Sequence, residues 1–167
     1  MNASDMVLEP SISFIPGAAS LAGSRATLFT LAMVDPDAPV SVSSTYEPFG
    51  HFLVGNIQLP ESLTSSDEAS LWRRPFSARL VVTLTPSEAG EVIFAYRNPH
   101  PAEPRDHRYT LALFAQPSSE PITFDEDKVL DGSQDGRCFF NISAFALKYD
   151  LGAPIGIATA LVRNITS

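Results

Sequence analysis

Runs of apolar and β-branched residues recur along this chain, and each run ends at prolines, glycines or charged residues. Such runs are typical of β-strands. The clearest lie at residues 27–34, 51–57, 107–115 and 155–162. Two further runs, residues 79–85 and 91–96, are separated only by Pro86-Ser-Glu-Ala-Gly90, which predicts a β-hairpin. Because long helical patterns do not alternate with these runs, we predict a mainly β fold of two packed, largely antiparallel sheets.

The pattern predicts few helices, and all of them are short. Residues 65–72 predict one, with Ser65 or Ser66 as its N-cap. Residues 141–152 predict another, which starts at a polar residue and stops at a glycine. Residues 97–106 contain three prolines, so this segment cannot lie inside a sheet and predicts a rigid loop.

Composition places the chain among folded proteins. Its 167 residues, 44% of them hydrophobic, predict a single domain over residues 1–167. The formal net charge of −8 opposes nucleic-acid binding, which needs a basic surface. Cys138 is the only cysteine, which excludes an intrachain disulfide and favours a cytoplasmic protein, or a secreted one if a signal peptide was removed from the native chain. Apolar runs are too short to predict a membrane span.

The segment with the most promising chemistry is Asp35-Pro-Asp-Ala-Pro39, directly after the first strand. Each proline fixes its own φ and restricts the residue before it, so this loop should hold its two carboxylates in place. His51 opens the next predicted strand, and its imidazole would lie near the carboxylates if the two strands are neighbours. Turn formation and packing explain each feature separately, whereas the combination indicates a site.

Four segments follow one another in a characteristic order across most of residues 27–162. They are Asp35-Pro-Asp-Ala-Pro39, His51-Phe-Leu-Val-Gly-Asn-Ile57, His107-Arg-Tyr109 after a proline-rich loop, and Phe145-Ala-Leu-Lys-Tyr-Asp-Leu-Gly-Ala-Pro154. Together they resemble the phosphatidylethanolamine-binding protein family, which includes Raf kinase inhibitor protein and carboxypeptidase Y inhibitor-like members. The resemblance implies a β fold with a small surface pocket for phosphate-like or other anionic groups.

The resemblance also implies which residues line that pocket. They are Asp35, Asp37, Ala38, Pro39, His51, Pro101, His107 and Tyr109. Histidine N–H groups, a tyrosine hydroxyl and backbone amides are good donors to an oxyanion. A carboxylate cannot donate to a bare anion, so we expect Asp35 to orient His51 and favour its charged form, while a nearby loop amide contacts the ligand.

The chain departs from the family pattern in two places. Residues 99–106 are apparently one residue shorter than the family's loop and lack its glycine, so His100 and Arg105 either take over polar contacts at the pocket rim or face solvent. The N-terminus also looks short for the family, and the chain ends soon after the last strand. A terminal helix that gates the pocket is therefore expected to be missing or reduced.

The resemblance implies a monomeric, non-enzymatic binding and regulatory protein without a cofactor or metal ion. Its ligand would be a phospholipid head group or a phosphorylated partner, and a kinase or a protease is a possible protein partner. One alternative is inhibition of a protease or carboxypeptidase through an exposed segment. A second alternative is a hydrolase built on the Asp/His cluster, although G-x-S-x-G is absent. Residues 131–136 faintly resemble a calcium loop but lack its ligand spacing, so we predict solvated turns.

Overall fold

A computed structural model of the chain describes residues 8–14, 28–38, 48–58, 82–101, 105–129 and 136–163. The predicted helix at residues 65–72 lies outside these ranges. The described strands are β1 (Ile12–Phe14), β2 (Leu28–Asp35), β3 (Phe49–Gln58), β4 (Val82–Leu84), β5 (Glu91–Phe94), β6 (Asp106–Ala115) and β7 (Gly156–Arg163). The described helices are α1 (Pro86–Ala89), a 3-10 turn at Asp125–Asp127, and α2 (Ile142–Lys148).

Two antiparallel sheets organise the fold, as the sequence predicts. Five strands form the large sheet in the order β5-β3-β2-β6-β7, and β1 pairs with β4 in the small sheet. The predicted hairpin of residues 79–85 and 91–96 is wrong, because β4 pairs with β1 whereas β5 pairs with β3. Pro86 lies in the first turn of α1, and this helix carries the chain from one sheet to the other.

Both faces of the central strand β2 are buried, and its side chains alternate between the two faces. Phe29 and Met33 of β2 belong to an apolar cluster that residues of the small sheet also contact. Ala32 and Val34 belong to a second cluster, on the opposite face, which includes residues of α2. A shift by one residue would exchange the two sets, so burial fixes the register of β2.

Helix α2 is shorter than the sequence predicts. It begins after Asn141, whose side-chain oxygen accepts hydrogen bonds from the backbone N–H groups of Ser143 and Ala144. It ends at Lys148, and Asp150 already adopts a φ of 53°, which is incompatible with helix. In the described part of the chain, no helix is long and apolar enough to cross a membrane.

The topology brings three strand ends together at one end of the large sheet. Asp35, at the end of β2, lies opposite Phe49, at the start of β3. Val34 lies opposite Thr110, near the start of β6. The two proline-rich segments predicted to form rigid loops therefore leave the sheet at the same end.

Candidate functional site

A buried pair formed by Asp35 and His107 lies at the centre of the candidate site. Asp35 is the last residue of β2, and His107 is the second residue of the neighbouring strand β6. Their side chains are 2% and 1% exposed, and His107 Nδ1 lies 2.8 Å from Asp35 Oδ2. A carboxylate accepts, so Nδ1 carries a proton and donates it to Asp35. The other ring nitrogen, Nε2, is buried without a hydrogen-bond partner among the described residues.

Asp35 also organises the loop that follows it. Its second oxygen, Oδ1, accepts a hydrogen bond from the backbone N–H of Asp37 at 2.9 Å. An Asp side chain that bonds the backbone two residues later makes the turn that the Asp-Pro sequence predicts. Each oxygen of this carboxylate therefore has a donor.

His51 reaches the site through a β-bulge in β3. Met33 of β2 lies opposite Phe52 and Val34 lies opposite Gly50, which leaves His51 as an extra residue without a partner in the ladder. Its ring packs edge-on against the ring of Tyr109, with centroids 4.9 Å apart. A bulge redirects a side chain, and here it brings an imidazole beside a residue of β6 across the intervening strand β2.

The hydrogen bonds of His51 correct its predicted role. Its Nδ1 lies 2.9 Å from the carbonyl oxygen of Arg97, so Nδ1 carries a proton and donates it there. Burial lowers the pKa of His51 from 6.5 to about 4, and the nearby charge of Asp35 offsets only part of this effect. The prediction that Asp35 orients a charged His51 is therefore wrong: Asp35 binds His107, and His51 is neutral near pH 7 with Nε2 as an acceptor.

Tyr109 completes the wall of the site between the two histidines. It is buried, and its ring also stacks on that of His107 at a centroid distance of 6.5 Å. Burial raises the pKa of the Tyr109 phenol, and the negative charge of Asp35 raises it further. The hydroxyl therefore remains protonated at physiological pH.

Asp37 holds the loop against β6. Its carboxylate accepts hydrogen bonds from the backbone N–H of Arg108 at 2.9 Å and from the guanidinium Nε and Nη2, each at 2.8 Å. The Arg108 side-chain hydrogen bonds lower the pKa of Asp37, although partial burial opposes them. Arg108 neutralises the charge of Asp37, and these contacts fix the loop geometry. That Asp37 lines a ligand pocket stays a prediction.

Three further residues predicted to line the pocket differ in what the structure describes. Ala38 is half-buried, Pro101 is buried, and Pro39 lies outside the described residues. Arg105 donates from Nη2 to the carbonyl oxygen of Asp37 at 2.6 Å, so it does make a polar contact at the rim. His100 is exposed, as the solvent-facing interpretation predicts.

The sequence interpretation missed Arg137, which supports the bulge from behind. The side chain is 1% exposed and donates to the carbonyl oxygens of Gly50 at 3.1 Å and Ala95 at 2.9 Å. It therefore joins the start of β3 to the segment after β5. A signal was present, because an arginine directly before Cys138-Phe-Phe is out of place in an apolar run.

The arrangement offers hydrogen-bonding groups on a buried wall. In the parts of the chain that the structure describes, His, Cys, Asp and Glu do not gather in a group of three or more suited to a metal ion. The site instead presents the Nε2 atoms of His51 and His107 and the phenol of Tyr109. Such groups bind a ligand that carries both hydrogen-bond donors and acceptors.

Comparisons with known proteins agree with this fold. A family model described as phosphatidylethanolamine-binding protein matches residues 3–153. The chain is 28% identical over 154 residues to Protein MOTHER of FT and TFL1 homolog 2 of Oryza sativa subsp. japonica, covering 90% of this chain and 69% of that protein. It is 26% identical over 145 residues to Protein TERMINAL FLOWER 1 of Arabidopsis thaliana, covering 87% of this chain and 63% of that protein. It thus spans about two thirds of the length of these relatives.

A solved structure of similar fold is that of carboxypeptidase Y inhibitor complexed with its cognate proteinase. The TM-score is 0.62 at 15% sequence identity, and the match covers 98% of this chain and 74% of that chain. At this identity the likeness concerns the fold alone.

Proposed function

Because the chain belongs to the phosphatidylethanolamine-binding protein family, we propose that it is a non-enzymatic binding and regulatory protein whose site takes a phosphate-like group. The observation that carries the proposal is the buried Nε2 of His107, which lacks a partner among the described residues. An unpaired buried polar atom is costly, and a ligand that binds it recovers that cost. The phosphate belongs to a phospholipid head group or to a phosphorylated partner.

The protonation of the site defines what such a ligand must offer. Neutral His51 accepts through Nε2, so the ligand supplies a hydrogen there, from a P–OH group or from the ammonium group of an ethanolamine head group. In the proposed complex a charged His107 donates from Nε2 to a phosphate oxygen, with Asp35 as its counter-ion. Tyr109 provides a protonated hydroxyl beside both rings.

An NMR titration of the three histidines tests this proposal. Inorganic phosphate and phosphorylethanolamine are added to the wild-type protein and to His51→Ala. We expect saturable shifts at His51 and His107 that disappear in the variant, while exposed His100 serves as an internal control. An absence of shifts at millimolar ligand would overturn the proposal and favour surface-mediated inhibition or scaffolding.

The Asp35–His107 pair also has the geometry of an orienting carboxylate and a general base, which favours the hydrolase alternative. A hydrolase needs a nucleophile within reach of the base as well. Turnover of p-nitrophenyl acetate or p-nitrophenyl phosphate by the wild-type protein, lost in His107→Gln, would support hydrolysis. The binding proposal predicts that neither protein turns over either compound.

A protease partner is a second proposal, since one protein of the same fold forms a complex with a proteinase. Such inhibition would use an exposed segment and would not depend on the site. Substitutions of His51 or His107 would then leave inhibition intact, whereas truncation of the N-terminal segment would remove it. If both changes are without effect, the inhibitor proposal loses its support. The monomeric state also stays a prediction, which light scattering can check.

A further inference from the structure

Basic side chains near the candidate site differ in whether an acidic group already neutralises them. Arg108 pairs with Asp37, and Arg163, also at this end of the sheet, pairs with Asp106. Within the described part of the chain, the guanidinium of Arg97 forms neither an ion pair nor a hydrogen bond to any oxygen. Its positive charge is therefore available to a ligand.

The backbone of Arg97 is fixed directly to His51. Its N–H donates to the carbonyl oxygen of His51 at 2.8 Å, and its own carbonyl accepts from His51 Nδ1 at 2.9 Å. Two reciprocal hydrogen bonds hold this residue in one position relative to the imidazole. The Cα and Cβ atoms of Arg97 are therefore fixed in position next to His51.

The Arg97 side chain is also placed, because it lies over an aromatic ring. Its guanidinium carbon is 5.6 Å from the centroid of the Phe49 ring, and that ring is 4.9 Å from the ring of His51. Cation–π stacking restrains an exposed arginine while its N–H groups stay free to bind. The positive charge of Arg97 also contributes to the lowered pKa of His51, so its field reaches the imidazole.

Building on the proposed function, we propose that Arg97 recognises the ligand's negative charge, and that the site therefore prefers a phosphate monoester to a zwitterionic phosphodiester head group. A monoester carries about 1.5 to 2 negative charges at neutral pH, and a guanidinium binds its oxygens in a bidentate manner. Its singly protonated form keeps the P–OH group that donates to His51 Nε2. In a phosphodiester with an ethanolamine group, the ammonium cancels the single negative charge. Since the whole chain carries a net charge of −8, a local cation must supply the attraction.

Dissociation constants from the histidine titration at pH 7.5 test this role. Inorganic phosphate represents the doubly charged group, and glycerophosphorylethanolamine represents the lipid head group. We expect Arg97→Gln to weaken phosphate binding about tenfold while changing the diester's affinity less than about twofold, because one charge-assisted contact is lost. Arg97→Lys keeps the charge and should retain most of the affinity.

Arg163→Gln is the matched control, since it removes one positive charge at the same end of the sheet from a residue already paired with Asp106. Its dissociation constants should equal those of the wild type. Both hydrogen bonds to His51 use only backbone atoms of Arg97, so the ligand-free His51 signals should stay near their wild-type positions in Arg97→Gln and verify the fold.

The outcomes separate this inference from the proposed function. If wild-type histidines fail to respond to either probe, the proposed function fails and the inference fails with it. If the wild type binds phosphate and Arg97→Gln binds it equally well, the inference is overturned while the phosphate site stands. Equal weakening by Arg97→Gln and Arg163→Gln would also overturn it, because a general charge effect would then suffice.

Discussion

The two histidines of the site differ because their Nδ1 atoms have different partners. His107 donates to the carboxylate of Asp35, which balances a positive ring, whereas His51 donates to a neutral backbone carbonyl. Burial makes a charged ring costly at His51 and lowers its pKa. Two histidines of the same site therefore differ in their hydrogen bonding.

The lowered pKa of buried His51 makes the free energy of unfolding depend on pH. The pKa of His51 is about 4 in the folded chain and 6.5 when unfolded, so the unfolded state binds more protons between these values. Stability due to neutral His51 is fully present above pH 6.5 and is lost as the pH falls to 4, by about 3 kcal/mol in total. Urea denaturation at pH 7.5, 5.5 and 4.5 measures the loss, and His51→Gln should show a smaller pH dependence. If the wild type and His51→Gln lose stability equally as the pH falls, groups other than His51 cause the loss.

The two carboxylates of the loop should differ in their importance for stability. Asp35→Ala leaves two buried donors, His107 Nδ1 and the N–H of Asp37, without their acceptor and should lower the free energy of unfolding by about 3 kcal/mol. Asp37→Ala removes an exposed pair with Arg108 that water screens, so the loss should be clearly smaller. Urea denaturation of both variants checks the order. If both variants lose the same free energy of unfolding, Asp35 is no more important for stability than Asp37.

At the scale of elements, continuous apolar runs predicted β2, β3, β6 and β7 to within a few residues. Burial on both faces explains such a run in β2, whereas most residues of β7 are exposed. The hairpin between residues 79–85 and 91–96 failed because Pro86 suits a turn and a first helical turn equally well. The bulge at His51 could not be predicted, since an extra residue leaves no mark on the hydrophobic pattern.

Strand order also explains why the sequence predicted the wrong histidine as the partner of Asp35. β2 lies between β3 and β6, so the histidine of either neighbour can approach Asp35. Only the register and the bulge decide that His107 does so. Arg137 and Arg97 were missed because their contacts join segments distant in sequence.

The close packing of β3 disfavours any side chain at Gly55. A Cβ atom at Gly55 would lie 2.2 Å from a ring carbon of buried Phe124, whereas a Cβ at Gly156 would lie 3.9 Å from Leu113. Gly55→Ala should therefore lower the free energy of unfolding by about 2 kcal/mol. Gly156→Ala is the matched control and should change it by less than about 0.5 kcal/mol. Thermal or urea denaturation of both variants measures these changes. If Gly55→Ala leaves the free energy of unfolding unchanged, the Phe124 ring can move aside.

At the scale of the whole molecule, the large sheet ties the two apolar clusters to each other. Strands β2, β3 and β6 contribute residues to both clusters, so neither face can lose its packing without disturbing the other. Helix α2 packs on one face and the small sheet on the other. The described parts of the chain therefore depend on one set of central strands.

We accordingly predict that the chain of 167 residues unfolds as one cooperative unit. Circular dichroism, which reports the sheets, and NMR signals of Met33 and Phe145, one from each cluster, should give the same urea midpoint. Separate midpoints would show that the two faces are independent and would contradict the single-domain prediction.

Both imidazoles are placed by strands, His107 by the register of β6 and His51 by the bulge of β3. Arg97, directly after β5, also holds the His51 ring, so we expect that only the part of the loop beyond Arg97 can change in length without moving either ring. Deleting one residue of the bulge would instead turn His51 toward the opposite face. Grafting new sequences into the loop beyond Arg97 therefore offers a direct route to altered ligand selectivity, because both histidines and Arg97 would keep their places.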